Sequence, residues 1–478
     1  MTTGSVSMRA ALAPVSALLI GVGLLYLGFG LQSTLVPLRA DVEGFNRLSI
    51  GLLGSTYYAG FVAGCLFAPF VILRAGHIRA FAAMVSLVSA AALAFPLIIG
   101  EIEWIIFRFA IGFCISGILV IVESWLNEKA TNVTRGVVMS TYVIITYVTI
   151  TIGQLIITTM PVTNFALFSF CSIMLSLAAV PVALTRASQP VAIPVVRFRP
   201  HLLFSVAPAA FAGTFTSGVM TGSLFSLGAI YAVDVGFTKN EAAIFVSAAM
   251  VGGALGQYPF GRVSDFVDRR IVILVAVVAT AAASFLLTFS DFMPAPLILV
   301  LGLVVGFTML PIYSLAAAHA FDWTEPDNMV ETSSALILLY GIGSTVGPLL
   351  SAFAMDIFGP GGLFLVMAIA AIGLAVFIMV RVLTRERPDE EMRSDFDIFS
   401  TAPVGGALTP EPIPEDDPLL ETPFFAPNPG ETLPDEEASA ETGDGDQTLE
   451  DAISEGDRRT HPLQKADADA DSAENAKG

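Results

Sequence analysis

The sequence predicts an all-α membrane protein: twelve transmembrane helices in two pseudo-symmetric six-helix bundles, followed by a disordered acidic tail. Three observations carry that prediction. Of the 478 residues, 55% are hydrophobic and only 14% are charged, against about a quarter in soluble globular proteins, and the mean hydropathy is +0.76. Apolar stretches long enough to cross a bilayer, roughly 20 residues each, recur twelve times before residue 385. The net charge of −19 belongs entirely to the tail: residues 385–478 hold 26 acidic and 7 basic side chains, and residues 1–384 hold 16 of each.

The apolar segments fall near residues 13–37, 48–73, 79–99, 104–126, 137–160, 163–185, 203–232, 240–261, 271–290, 294–318, 330–356 and 361–383. Each must be helical, because the hydrocarbon core offers no water to an open backbone. The first is too long for the core of a signal peptide and is expected to be retained. The longest interruption, Arg186 to His201, contains Pro190, Pro194, Arg197, Arg199 and Pro200. It predicts four regions: a six-helix bundle over 1–185, a cytoplasmic linker over 186–202, a second bundle over 203–384, and the tail over 385–478. The tail is rich in Asp, Glu, Pro, Ala and Thr. It has too little apolar surface to offset its ordering entropy and is expected to be disordered.

Orientation follows from Lys and Arg in the short loops. With the N-terminus inside, the inner face carries twelve of them, including Arg74, Arg79, Lys129, Arg135, Arg262, Arg269 and Arg270; the outer face carries Arg39, Arg47 and Lys239. Both termini are therefore expected in the cytoplasm. The halves also repeat. Shifted by 192, residues 45–79 lie ungapped on 237–271, so that Phe45 meets Phe237, Ser55 meets Ser247, Gly60 meets Gly252 and Gly64 meets Gly256. A shift of 194 lays Gly153-Gln154 on Gly347-Pro348.

At the predicted inner end of the eighth segment the chain reads Gly261-Arg262-Val263-Ser264-Asp265-Phe266-Val267-Asp268-Arg269-Arg270. This resembles the signature loop of the major facilitator superfamily, G-x-L-A-D-R-x-G-R-K, with Phe266 in place of Arg and Asp268 in place of the second Gly. Val122-Glu123-Ser124, Gly153-Gln154, Gly256-Gln257-x-Pro259-x-Gly261-Arg262 and Gly347-Pro348 are most similar to its YcaD-like branch. The resemblance covers residues 10–384. It implies transport of a small molecule, brings no agreed substrate, and places helices one, four, seven and ten around a central path. Gln32 and Thr221 are then expected contacts. It also implies that Asp265 latches the inner gate against a helix end of the opposite half. From this, two complementary latches are expected: Asp265 near Arg135 at the start of the fifth helix, where a helix N-terminus favours an anion, and Arg74 and Arg79 facing Asp327 and Glu331.

Polar groups inside membrane helices are costly and mark functional positions. In the fourth segment Arg108, Gly112, Ser116, Glu123 and Asn127 share an arc of about 100°. Arg108 and Glu123 lie about 22 Å apart along the helix and so cannot pair with each other. A carboxylate in an apolar cleft can take up and release a proton near neutral pH, which makes Glu123 the candidate coupling group. Structural alternatives are a hydrogen bond at the interface for Glu123 and snorkelling for Arg108. Arg108-x-x-x-Gly112 resembles an element of helix four in proton-linked facilitators. Gly343-x-x-x-Gly347-Pro348 reads as close helix packing with a local bend. Thr238-x-x-Glu241 and Asn328-x-x-Glu331 read as capping boxes.

Cys65, Cys114 and Cys171 lie within apolar runs and supply neither a disulfide framework nor metal spacing. No G-x-x-x-x-G-K-[ST] loop, H-E-x-x-H pair or G-x-S-x-G elbow occurs, so nucleotide drive and the corresponding hydrolases are not expected. The sequence predicts a monomeric, proton-coupled secondary transporter of a small polar solute in the cytoplasmic membrane, working by alternating access. Its partners are the solute and the lipid bilayer, not nucleic acid, and it needs no cofactor besides the proton. A ligand sensor without flux, or an uncoupled facilitator, is the alternative reading.

Overall fold

The computed structural model of the chain describes residues 12–129, 134–184, 200–325 and 328–384. Two units are distinguished, residues 1–412 and 413–478. The second unit, the whole predicted tail and most of the predicted linker lie outside the described residues. Within them there is no strand, and twelve helices are long and apolar enough to cross a membrane.

The first six are α1 (Ser16–Val42), α2 (Arg47–Ala75), α3 (His77–Leu97), α4 (Glu101–Lys129), α5 (Arg135–Ile156) and α6 (Phe165–Leu184). A short helix, Pro200–Val206, precedes α7 (Pro208–Asp234), α8 (Lys239–Phe266), α9 (Arg269–Leu287), α10 (Ala295–Phe321), α11 (Met329–Phe358) and α12 (Gly362–Thr384). Outward-facing Ile102, Leu184, Leu255 and Leu383 leave an apolar surface that only lipid tails suit.

Three helix ends lie five residues from the sequence expectation, and one helix is interrupted. α1 continues through Pro37 to Val42, and prolines are tolerated inside spanning helices where neighbours re-satisfy the backbone. α7 starts at Pro208 and not at 203, because the residue before a proline is driven out of the helical region; Ala207 sits at φ −131°, ψ 70°. α8 runs on to Phe266, so Gly261, Arg262 and Asp265 belong to its last turns and the loop itself shrinks to Val267-Asp268. α10 steps at Leu310, where Pro311 brings no N–H for the helical ladder.

The caps show why the turns form. Asn46 accepts from the Ser49 backbone N–H at 2.7 Å at the start of α2, and Thr238 and Glu241 close the predicted capping box of α8. The turns before them hold Gly44 at φ 83° and Gly236 at φ 100°, a region that side chains disfavour. The capping box expected at α11 does not form. Asn328 lies at φ −103°, ψ 1°, without a side-chain cap bond, outside the extended conformation that lets a cap reach back.

Packing repeats between the halves as the sequence shifts predict. α2 lies on α4 and α8 on α10; α1 lies on α5 and α7 on α11. A Cβ at Gly60 would meet the carbonyl oxygen of Phe109, and one at Gly112 that of Tyr57. In the second half the same encounters are Gly252 with Leu303 and Gly306 with Ala249. Gly153 abuts the Leu27 carbonyl as Gly347 abuts that of Val219. Each partner is related by the shift of 192 or 194. Small residues let membrane helices approach this closely, and that approach is what the Gly343-x-x-x-Gly347 spacing provides. Between the halves, α2 meets α11 and α5 meets α8.

Candidate functional site

A cavity lies between the two halves at the middle of the helices. α1 contributes Tyr26, Phe29 and Ser33; α2 contributes Tyr57, Tyr58 and Phe61; α4 contributes Arg108. α5 adds Thr146, Tyr147 and Gln154, and the second half adds Thr221, Phe225 and Ser226 of α7, Met250 of α8, Leu310 at the α10 step and Tyr340 of α11. Its interior gives about 110 Å³ to the centres of water molecules, several times the 10–15 Å³ that one water needs. The cavity is therefore large enough to be wet.

Arg108 is 5% exposed. Its Nε donates to the Leu53 carbonyl at 3.2 Å, and its guanidinium carbon lies 4.6 Å from the centre of the Tyr57 ring. Nη1 is buried without a hydrogen-bond partner. Arg108 is the only charged side chain among the described residues lining the cavity.

Glu123 is 2% exposed and stands further along α4, away from the cavity lining. Its Oε1 accepts from the Tyr142 hydroxyl at 3.1 Å, and the Tyr142 and Tyr26 hydroxyls are 3.3 Å apart. A phenol carries one proton and can also accept. With Tyr142 donating to Glu123, Tyr26 donates to Tyr142. A continuous line of hydrogen bonds thus runs from a cavity-lining side chain to the buried carboxyl. Across the halves, Gln257 of α8 donates to the Tyr147 hydroxyl of α5 at 3.1 Å.

Of the other residues expected from the sequence, Thr221 lines the cavity and is buried. Gln32 is buried but does not line it; its neighbour Ser33 does. Asn127 and Arg135 lie in α4 and α5 with side chains outside the described set, and Asp327 lies outside the described residues. The expected latch of Asp265 on Arg135 therefore falls outside the description; Asp265 stands 3.8 Å from Arg262, one turn back. Gly261 is buried in the same turn, and Arg74 and Arg79 are exposed. Arg269 binds within its own half: it donates to Asp322 at 2.8 Å and to the Ala318 carbonyl at 2.6 Å, both at the end of α10. Asp268 caps α9, accepting from the Arg270 backbone at 2.9 Å and from its guanidinium at 2.9 Å. Burial pushes the Asp268 carboxyl up, but these bonds from Arg270 outweigh it and hold the group below the ordinary carboxylate range.

Two features were not anticipated from the sequence. One is the Tyr26–Tyr142 bridge; Tyr142 lies in the fifth segment, but nothing in its spacing pairs it with Tyr26. The other is a pair of ion pairs joining the halves at the predicted outer face. Arg47 of α2 meets Asp234 of α7 at 3.0 Å and Asp356 of α11 at 3.9 Å, while Lys239 of α8 meets Asp41 of α1 at 3.9 Å. The repeat contains the signal for these, since the shift of 192 lays Arg47 on Lys239.

The sequence profile of the Major Facilitator Superfamily matches residues 209–413. The uncharacterized MFS-type transporter YcaD of Escherichia fergusonii is 29% identical over 357 residues, covering 74% of this chain and 92% of that protein. The Shigella flexneri protein of the same name matches to the same extent. Among solved structures, the nucleoside transporter NupG superposes with a TM-score of 0.64 at 13% identity, over 78% of this chain and 99% of that one. A bacterial homologue of the human lysosomal transporter Spinster, inward-facing and occupied, gives 0.60 at 16% identity, over 80% and 97%. At these identities the structural likeness speaks for the fold.

Proposed function

We propose that the chain is a multi-pass membrane transporter of the major facilitator superfamily, as its profile match, its relatives and its twelve apolar helices support, and that it moves a small solute by alternating access, coupled to protons. Transport, not enzymatic turnover, is what that family does. The observation that carries the coupled reading is the line from the cavity through Tyr26 and Tyr142 to Glu123. A carboxyl that exchanges a proton with a binding cavity through hydroxyl groups can make occupancy of the cavity depend on its own charge. A ligand shifts the two gate states only by its differential affinity for them, and protonation of Glu123 would supply part of that difference.

The lysine and arginine bias of the loops supports a cytoplasmic membrane location with both termini inside. One chain holds both halves and the cavity between them, which supports a monomer as the working unit.

The test uses the full chain in liposomes loaded with a pH-sensitive dye, challenged with a panel of metabolites. Solute-dependent proton entry in the wild type and its loss in Glu123→Gln is the expected result. Solute uptake without proton movement makes the protein an uncoupled facilitator; ligand binding with no uptake at all makes it a sensor.

A further inference from the structure

The cavity has an electrostatic imbalance that identifies its ligand class. A buried cation without a counter-charge is among the costliest things a protein can hold, and water penetration offsets only part of that. Arg108 receives one backbone carbonyl and one aromatic face, and Nη1 has no acceptor. No Asp or Glu is among the described residues lining the cavity. The planar fork of a guanidinium matches two coplanar oxygens.

Eight of the seventeen other lining residues are aromatic, and four more are aliphatic or Met. Phe29 lies 5.7 Å from Tyr57, and Tyr57 lies 5.1 Å from Tyr58, centre to centre; Phe61, Phe225 and Tyr340 continue the wall. Such a wall favours a flat or apolar body and gives little to a sugar-like array of hydroxyls. Ser33, Thr146, Thr221, Ser226 and Gln154 add a few polar contacts.

Resting on the transport reading, we infer that the solute is a small amphipathic monocarboxylate. Its carboxylate takes the open side of Arg108, and its apolar or aromatic body lies against the rings of α1, α2 and α11. One negative charge balances the cavity; a dianion leaves a charge unmatched, and a cation meets Arg108 directly. This narrows the sequence expectation of a small polar solute to one that carries a single negative charge.

The experiment is a binding series on the full-length protein in detergent or nanodiscs, by calorimetry and thermal shift. The probes are benzoate and phenylacetate, with benzamide as the neutral shape match and benzylamine as the cation. The expected result is affinity for a carboxylate at least tenfold above benzamide, with no benzylamine binding. Arg108→Gln should weaken carboxylate binding at least tenfold and leave benzamide unchanged, and Arg108→Lys should fall between. If the Arg108 variants do not fold, the wild-type series alone decides. Benzamide or benzylamine binding as tightly as benzoate, or no binding by either carboxylate, overturns the inference. Carboxylate binding without flux in liposomes leaves this site standing and removes the transport reading. Flux of a neutral solute with no carboxylate binding does the reverse.

Discussion

The two halves share a scaffold and differ in chemistry. At four positions the second half answers the polar groups of the first with small or apolar residues. The shifts of 192 and 194 carry Tyr26 to Gly218, Arg108 to Gly302, Glu123 to Ala317 and Tyr142 to Leu336. Leu53, whose carbonyl accepts from Arg108, maps to Phe245, whose ring packs on Gly302. The guanidinium of one half is thus replaced by an aromatic ring in the other. Duplicated helices supply the architecture, and the buried Arg108 and the hydrogen-bonded line from Tyr26 through Tyr142 to Glu123 belong to the first bundle. The second bundle contributes part of the wall, including Thr221, Phe225 and Tyr340.

If the scaffold is common, breaking it should cost the same on either side. Gly60→Leu and Gly252→Leu each drive a side chain into a backbone carbonyl of the facing helix. Overpacking of this kind costs about 1–3 kcal/mol or more, and a rigid carbonyl puts these sites at the upper end. Both variants should lose most folded protein, measured as the monodisperse fraction after solubilisation. Tolerance on one side only would show that the two interfaces are not equivalent. If the chemistry is not common, conservative changes at related positions should diverge. Glu123→Gln should abolish solute-driven proton entry, and Tyr142→Phe should slow it by about an order of magnitude, because the hydroxyl link to Tyr26 is lost. Ala317→Ser should leave proton entry unchanged and lower the melting temperature slightly. Equal loss in Glu123→Gln and Ala317→Ser would mean that packing, not proton exchange, limits turnover.

Much of the common scaffold could be read from the sequence, because bilayer thickness forces long apolar runs and glycines mark where backbones touch. Gly60 on Gly252 and Gly153 on Gly347 were placed correctly by counting alone. The asymmetric chemistry was legible only in part. Arg108 and Glu123 stand out as charges in an apolar helix, whereas Tyr26 and Phe29 look like any aromatic residues of a spanning segment. Which face of α1 looks into the cavity depends on how α1 sits against α5 and α7, and that is why Ser33 lines it and Gln32 does not. The extent of the eighth helix was misjudged because Arg262 and Asp265 read as loop residues, although both occupy the last turns of α8.

The α8–α9 corner gives a pH-dependent form of the comparison. Its cap, Asp268, maps to Gly76, which sits at φ 81° and has no side chain to titrate. Asp268 has a depressed folded-state pKa, so its stabilisation is present above the unfolded value of about 3.9 and is lost as pH falls below it toward the folded value. Acidification from pH 6 to 3 should lower the hydrogen-exchange protection factor, taken against the intrinsic rate at each pH, more at Arg269–Val272 than at Ile78–Phe81. Asp268→Asn should show raised exchange already at pH 6. Equal exchange at the two corners throughout the titration would rule out the cap as the cause.

The smallest effects belong to the ion pairs at the predicted outer face, where the halves meet through complementary copies of one device. Each pairs the start of the second helix of one half with the end of the first helix of the other: Arg47 with Asp234, and Lys239 with Asp41. Partly exposed pairs contribute about 0–1 kcal/mol, so neither can hold the face shut alone. Arg47 has the shorter contact and a second acid, Asp356, at 3.9 Å, so its loss should weigh more. With the native cysteines replaced and Ser33→Cys as reporter in the cavity, Arg47→Ala should raise alkylation from that face by up to about fivefold, the equivalent of 1 kcal/mol. Lys239→Ala should raise it less, and added salt should shrink both differences. The exchange of Arg47→Asp with Asp234→Arg should restore the wild-type rate if the pair itself is responsible. An unrestored rate would assign the effect to the fit of α2 against α7 and α11, and the two halves would then be held at this face by shape and not by charge.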